Sequence, residues 1–159
     1  MTHLTRRQTF AFAAGAAALA AGAASAAEPP VFSAKPSRFS FADVMAIRGA
    51  DAVAYFTQGE AVMGSSDFTS TYNGAVWAFA SAENKAMFDA NPDAFAPQYG
   101  GYCAFAVASG YTASTDPEAW TIHDGKLYLN FSKGVRSRWL QDVPGNIQKG
   151  DANWPSVLG

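Results

Sequence analysis

The stretch Phe68-Thr-Ser-Thr-Tyr72-Asn73-Gly74-Ala75-Val-Trp77-Ala-Phe79 decides the fold class. Asn-Gly supplies the two positive-φ residues of a tight hairpin turn whose twist matches that of the strands it joins. Before the turn, Phe68, Ser70 and Tyr72 alternate with Thr69 and Thr71, and beyond it Trp77 and Phe79 share a face. That period of two is the pattern of half-buried strands. A second hairpin repeats the design: Glu118-Ala-Trp120-Thr-Ile122-His123 and Lys126-Leu-Tyr128-Leu-Asn130 flank Asp124-Gly125.

Helices are predicted around the hairpins. Ser81 can cap one, with Glu83 in its first turn, an apolar side of Ala86, Met87 and Ala90, and a stop at Asn91-Pro92. The run from Gly100 to Ala108 is apolar throughout, and periodicity alone allows a buried helix or a buried strand. Its alanines and the Ser109-Gly110 ending favour a short helix. Ser132 can cap another, with Val135, Trp139 and Val143 on one side, until Pro144-Gly145 interrupts it. A last helical piece runs toward Asp151 and leaves Trp154 to tuck in. Two hairpins separated by helices predict an α+β domain, with the hairpins forming a small antiparallel sheet packed against short helices.

Upstream, the chain reads as an export signal. Arg6-Arg7 precede an Ala/Gly-rich apolar stretch that ends in Ala24-Ser25-Ala26. A short basic region, a weakly apolar run and a small-x-small triplet are the three parts of a secretory leader, with cleavage expected after Ala26. The arginine pair points to the twin-arginine route, although Thr9 stands where that signal usually has a bulky apolar residue, and general secretory export remains open. The apolar run is shorter than the ~20 residues that span a bilayer. The expected organisation is a signal peptide over 1–26, an extended Pro/Ser-rich lead-in over 27–43 lying outside the core, and one domain over 44–159. Its expected location is the periplasm or the outside of the cell.

Composition narrows the function classes. Losing Arg6 and Arg7 leaves 9 basic residues against 13 acidic ones, a net charge of −4. A mildly acidic domain without a basic stripe argues against nucleic acid and against a polybasic membrane anchor. No P-loop, dinucleotide-binding loop, paired carboxylates or Ser/His/Asp spacing is present. Nothing in the sequence demands an enzyme. A single cysteine, Cys103, rules out an internal disulfide, so stability must come from a core that includes 4 tryptophans.

Cys103 has three readings. It is a buried small hydrophobe, a metal ligand, or a nucleophile. Gly100-Gly101 just upstream would put its thiol in the first turn of a helix, where free N–H groups favour a thiolate. His123 is the only histidine left after cleavage, and its place beside Asp124-Gly125 also suits a solvated hairpin end. One cysteine and one histidine cannot close a tetrahedral zinc site, whereas monovalent copper accepts few, soft ligands. Met45, Met63 and Met87 could complete such a site but also suit a core, and two Cys103 thiols across a dimer are another route. Asp51 reads either as a buried carboxylate or as the cap of a short helix.

Taken together, Gly49-Ala-Asp51-Ala-Val-Ala-Tyr55-Phe56, Tyr72-Asn-Gly74, Tyr99-Gly-Gly-Tyr-Cys103-Ala, Trp120-Thr-Ile-His-Asp-Gly-Lys-Leu-Tyr-Leu-Asn130 and Ala152-Asn-Trp-Pro155 resemble the YHS-domain family of small exported proteins. The family's first motif usually reads Gly-Tyr-Asp-Pro-Val-Ala-Tyr, and here Ala50 and Ala52 replace its Tyr and Pro. The resemblance implies a compact α+β domain, an association with metals and copper especially, and a centre on Cys103. It implies partners among metal-handling or envelope proteins. The leading expectation is a non-enzymatic periplasmic metal-binding protein with Cys103 as ligand and His123 as helper. The alternative is a small-ligand or protein-interaction module with an aromatic pocket drawn from Tyr55, Tyr99 and Tyr102, with Asp51 nearby and Cys103 packed beneath. A thiol enzyme comes third.

Overall fold

Both turns form at the predicted pairs. Asn73 and Gly74 take φ 50 and 76, and Asp124 and Gly125 take φ 50 and 72. The computed structural model describes residues 26–33 and 45–159. Arg6, Arg7 and the remainder of the expected leader lie outside the described residues, as does most of the lead-in; Ala26 is exposed coil.

The first hairpin pairs β1 (Ser65–Tyr72) with β2 (Ala75–Phe79), Tyr72 opposite Ala75 and Ser70 opposite Trp77. Ahead of it lies a one-turn helix, α1 (Ala54–Thr57), and after it come α2 (Ala82–Ala90), α3 (Pro92–Phe95) and α4 (Ala104–Ala108). The second hairpin pairs β3 (Asp116–His123) with β4 (Lys126–Asn130), and α5 (Lys133–Trp139) and α6 (Val143–Asn153) follow. The class is α+β, and the two hairpins stand as separate two-stranded sheets instead of merging into one.

Helix limits follow local chemistry. Ser81 accepts from the Asn84 N–H and Ser132 from the Val135 N–H, each satisfying an otherwise orphaned donor of the first turn. Helix α4 ends at Gly110, φ 87, where Gly110 N–H donates to the Val107 carbonyl and Tyr111 N–H to that of Ala106. That paired pattern is a Schellman ending, as the Ser109-Gly110 dipeptide predicts. The expectation of one interrupted helix after Ser132 is corrected. Helix α5 stops at Trp139, and Asp142 caps a new helix through the Gly145 N–H, with Pro144 in its first turn. Proline's fixed φ suits that place, so Pro144 begins α6 and does not break α5.

The predicted apolar side of α2 is also corrected. Ala86, Met87 and Ala90 face solvent, and the helix buries Asn84 and Phe88 instead. Phe88 packs among Tyr72, Trp77 and Phe79, with ring centroids at 5.7, 5.2 and 5.0 Å. Asn84 is drawn in by a polar partner described below.

Two apolar clusters make up the core. One gathers Tyr55, Trp77, Phe79, Phe88, Leu127 and Leu129; the other gathers Phe32, Tyr99, Tyr102, Val107, Tyr128 and Trp139. Strand β4 is the wall between them, since alternate residues point to opposite faces and Leu127 and Leu129 enter one cluster while Tyr128 enters the other. The segment expected to lie outside the core contributes to it: Val31 and Phe32 are buried, and Phe32 N–H donates to the Gly100 carbonyl. Among the described residues, no helix is long and apolar enough to cross a membrane.

Candidate functional site

Cys103 is the N-cap residue of α4, one position outside the helix and not in its first turn. Gly100-Gly101 is the reason. Tyr99, Gly100 and Gly101 take φ 56, 60 and 82, a left-handed turn that delays the helix until Ala104. At Gly100 an added Cβ would also collide with the Pro30 carbonyl, so no other residue fits there without moving the chain.

The thiol is 1% exposed and lies 3.7 Å from Asn130 Oδ1, to which it donates. The same oxygen accepts from Phe105 N–H at 3.2 Å, so Asn130 anchors the start of α4 to the end of β4. Asn130 Nδ2 is buried without a partner among the described residues. Beside Cys103 is a cavity of about 260 Å³ with Phe105, Tyr111, Phe131 and Val135 in its walls and Arg138 at its edge.

His123 lies elsewhere. It ends β3 beside the turn, half-buried, with Nε2 3.4 Å from the Asp124 carboxylate. It lines a different cavity, with Tyr128, Pro144, Ile147 and Asp151. The second hairpin explains the separation. His123 pairs with Lys126 at the turn end, while Asn130, the neighbour of Cys103, pairs with Asp116 at the open end. Four residues along a strand at about 3.3 Å each separate those ends by about 13 Å. The structure therefore does not bring Cys103 and His123 together. Met63 and Met87 are exposed, Met45 is buried, and no group of three or more His, Cys, Asp or Glu able to hold a metal occurs among the described residues. Among the described residues, the lining of the Cys103 cavity holds no histidine or methionine, so a copper ion held there would lack a second soft ligand from that lining.

The three tyrosines expected in one pocket divide between the two clusters. Tyr55 belongs to the first, with its hydroxyl donating to the Pro117 carbonyl at 2.9 Å and its ring 5.4 Å from that of Trp120. Burial pushes its phenol well above the ordinary range, and the charges of Glu118, Asp116 and Asp51 push the same way. Tyr99 and Tyr102 belong to the second cluster, each packed against Trp154. Tyr99 donates to Asp151 Oδ1 at 2.9 Å; burial first, and that hydrogen bond next, raise its phenol far above the usual value. Tyr102 donates to the Pro29 carbonyl, and burial, with Glu28 adding, raises its phenol to about 12. These phenols are held neutral as hydrogen-bond donors, which makes them struts and not acids.

Asp51 is the buried carboxylate of the two readings; the N-cap residue of α1 is Val53, two positions on. The Asp51 carboxylate is fully buried; Oδ1 accepts from the N–H groups of Val53 and Ala54 at the start of α1, and Oδ2 accepts from Ala80 N–H at 2.8 Å and Asn84 Nδ2 at 2.7 Å. A carboxylate with four donors on its two oxygens is satisfied, and it is the partner that draws Asn84 inward.

What the structure does assemble is an aromatic pocket of different membership. Tyr72, Trp77, Tyr99 and Trp154 line a cavity of about 290 Å³, together with Asp93 and prolines that include Pro30. Trp77 and Tyr99 are nearly fully buried and form its floor, while Tyr72 and Trp154 are half-buried. Of these, sequence reasoning singled out Tyr99 alone. Tyr72 and Trp77 were legible as hairpin aromatics, and Trp154 as a residue that tucks in, but nothing local linked them. Asp93, in the first turn of α3 behind Pro92, carried a helix-start signal and no site signal.

Comparison with known families gives one match: residues 53–99 match the YHS domain. That span covers less than a third of the 159-residue chain. It holds Tyr55, Tyr72, Trp77, Asp93 and Tyr99, and it stops short of Cys103 and His123. No curated protein and no solved structure matches the chain.

Proposed function

We propose that this YHS-domain chain is an exported, non-catalytic binding module that holds a small ligand in the Tyr72–Trp77–Tyr99–Trp154 pocket. The observation that carries the reading is the pocket itself: four aromatic side chains from segments distant in sequence lining one cavity of about 290 Å³. Small molecules bind in concave sites where a few polar groups converge, and here Asn73, Asp93 and Gln98 stand beside the aromatic rings. The rest of the chain supports a non-catalytic role. Among the described residues, Cys103 has Asn130 as its polar partner and no adjacent base, and a nucleophilic thiol needs one. Export rests on the leader over 1–26, with delivery to the periplasm or beyond.

A metal reading stands second. It is supported by the association of YHS domains with metal handling, and by Cys103, which borders a cavity of its own. Copper would need a second soft ligand from a partner protein or a second chain, reached only by opening the site around the buried thiol.

One experiment separates the two. Native mass spectrometry and metal analysis would be run on protein purified from its export compartment, beside Trp154→Ala and Cys103→Ser variants whose folding is verified by circular dichroism. The pocket reading expects an organic adduct that Trp154→Ala loses and Cys103→Ser keeps. Stoichiometric copper that only Cys103→Ser abolishes, with no organic adduct, would replace it with the metal reading.

A further inference from the structure

Resting on that pocket reading, we propose that its ligand is a small organic ammonium ion, recognised by aromatic faces and by the carboxylate of Asp93. Among the described residues, Asp93 is the one charged side chain in the lining of the cavity, without a lysine or arginine beside it. Its Oδ1 accepts from the Tyr72 hydroxyl, and no ion pair neutralises it among the described residues. The Tyr72 phenol is raised, foremost by that hydrogen bond, which is how a phenol responds to an adjacent anionic acceptor.

Three of the four aromatic groups direct their polar tips into the protein. The Trp77 indole N–H donates to the Tyr72 carbonyl, the Tyr99 hydroxyl to Asp151 and Ile147, and the Tyr72 hydroxyl to Asp93. With those donors engaged in the protein, the partly exposed rings of Tyr72 and Trp154 remain for a ligand, packed against the almost fully buried Trp77 and Tyr99 and beside the polar Asn73 and Gln98. Tyr72 and Trp77 have centroids 6.4 Å apart, and Tyr99 and Trp154 have centroids 6.0 Å apart. Ring faces carry negative quadrupole density, so a cavity that presents the partly exposed Tyr72 and Trp154 rings beside one carboxylate attracts a cation.

The alternatives fit less well. Among the described residues, an anion would find no cationic side chain in the lining, and a metal ion would find one carboxylate without histidine or cysteine ligands. A cavity of about 290 Å³ also sits at the small end of ligand pockets, which suits a compact ammonium with a few carbons better than an extended molecule.

The test uses the mature exported chain, with tryptophan fluorescence and calorimetry as readouts. The probes are choline, tetramethylammonium and 3,3-dimethylbutan-1-ol, the uncharged isostere of choline. Choline should bind and perturb the tryptophan emission, and the isostere should bind far more weakly. Asp93→Asn, which keeps the shape and the acceptor for Tyr72, should weaken choline about five- to tenfold, or about 1–1.4 kcal/mol. Isostere binding equal to choline, or choline binding unchanged by Asp93→Asn, would overturn the ammonium inference and leave the pocket reading standing. If no probe binds while the native adduct proves to be neutral, the inference also fails alone. If no probe binds and no organic adduct exists, both fall.

Discussion

Replacing Asp51 with asparagine tests whether the buried carboxylate organises the half of the domain that carries Tyr72 and Trp77. Asparagine has almost the same shape, but it turns one acceptor oxygen into a donor. In either orientation two of the four N–H groups around position 51 then face an NH₂. The cheaper arrangement points it at Ala80 N–H and Asn84, because the Asn84 amide can rotate and offer its own oxygen. Two bonds to a charged acceptor are lost, at about 1.5–3 kcal/mol each, and one neutral bond worth about 0.5–1.5 kcal/mol is regained. The net is a loss of about 2–5 kcal/mol, a large fraction of the ~5–15 kcal/mol by which domains are usually stable. Urea unfolding is the assay, and an unchanged slope with a midpoint lower by roughly 1–3 M is expected. Asn84→Ala removes one donor and leaves the carboxylate three, so it should cost less. A change below about 0.5 kcal/mol in Asp51→Asn would refute the reasoning, because it would mean that water, and not this closed set of donors, serves the carboxylate.

Three further outcomes check the packing. Phe88→Ala should cost about 3–5 kcal/mol in the same unfolding assay, while Met87→Ala on the exposed side should fall within about 0.5 kcal/mol of wild type. Gly150→Ala would place a Cβ 2.5 Å from the Tyr99 hydroxyl, which Asp151 holds; overpacking of about 1–3 kcal/mol outweighs the ~1 kcal/mol gain in helix propensity, so the melting temperature should fall. The alkaline limb follows from the tyrosines. Tyr55, Tyr99 and Tyr102 are raised above the ordinary 10.0 in the fold, so the unfolded chain releases their protons first. The stability they contribute is complete below about pH 10 and is lost as pH rises toward and past 12. Tyrosinate absorbance should therefore appear for these side chains together with unfolding, and their independent titration near pH 10 in the folded protein would contradict their burial.

The fold was legible wherever one short stretch contained its own instruction. Asn73-Gly74 and Asp124-Gly125 specify turns by φ alone, Ser81 and Ser132 specify helix starts by a side chain three residues from its donor, and Ser109-Gly110 specifies an ending. Errors arose where distance decided. The buried side of α2 is set by Asn84 reaching Asp51, 33 residues away, and no helical periodicity contains that contact. Pro144-Gly145 was ambiguous locally, since proline both ends helices and begins them, and the Asp142 cap decides in favour of a beginning. Val31 and Phe32 sit in a Pro/Ser-rich stretch whose composition reads as linker, yet Gly100 leaves room for that stretch to pack against it.

The site was less legible for the same reason. Tyr99 and Cys103 are four residues apart in a single motif, and a sequence reading naturally assigns them one site. The left-handed turn at Tyr99-Gly100-Gly101 separates their surroundings: Tyr99 lines the cavity with Trp154, and Cys103 lines the cavity with Phe105. The YHS match ends at Tyr99, so the matched span supplies Tyr72, Trp77, Asp93 and Tyr99, and the remainder of the chain supplies Trp154 and Pro30. The pocket therefore exists only where the matched span meets the rest of the domain. A domain that shared residues 53–99 but lacked Trp154 would keep the floor and the carboxylate and lose one aromatic wall. Ligand preference in such a domain would then depend on the segment outside the match, and the cysteine-centred motif would report on the packing of α4 against β4.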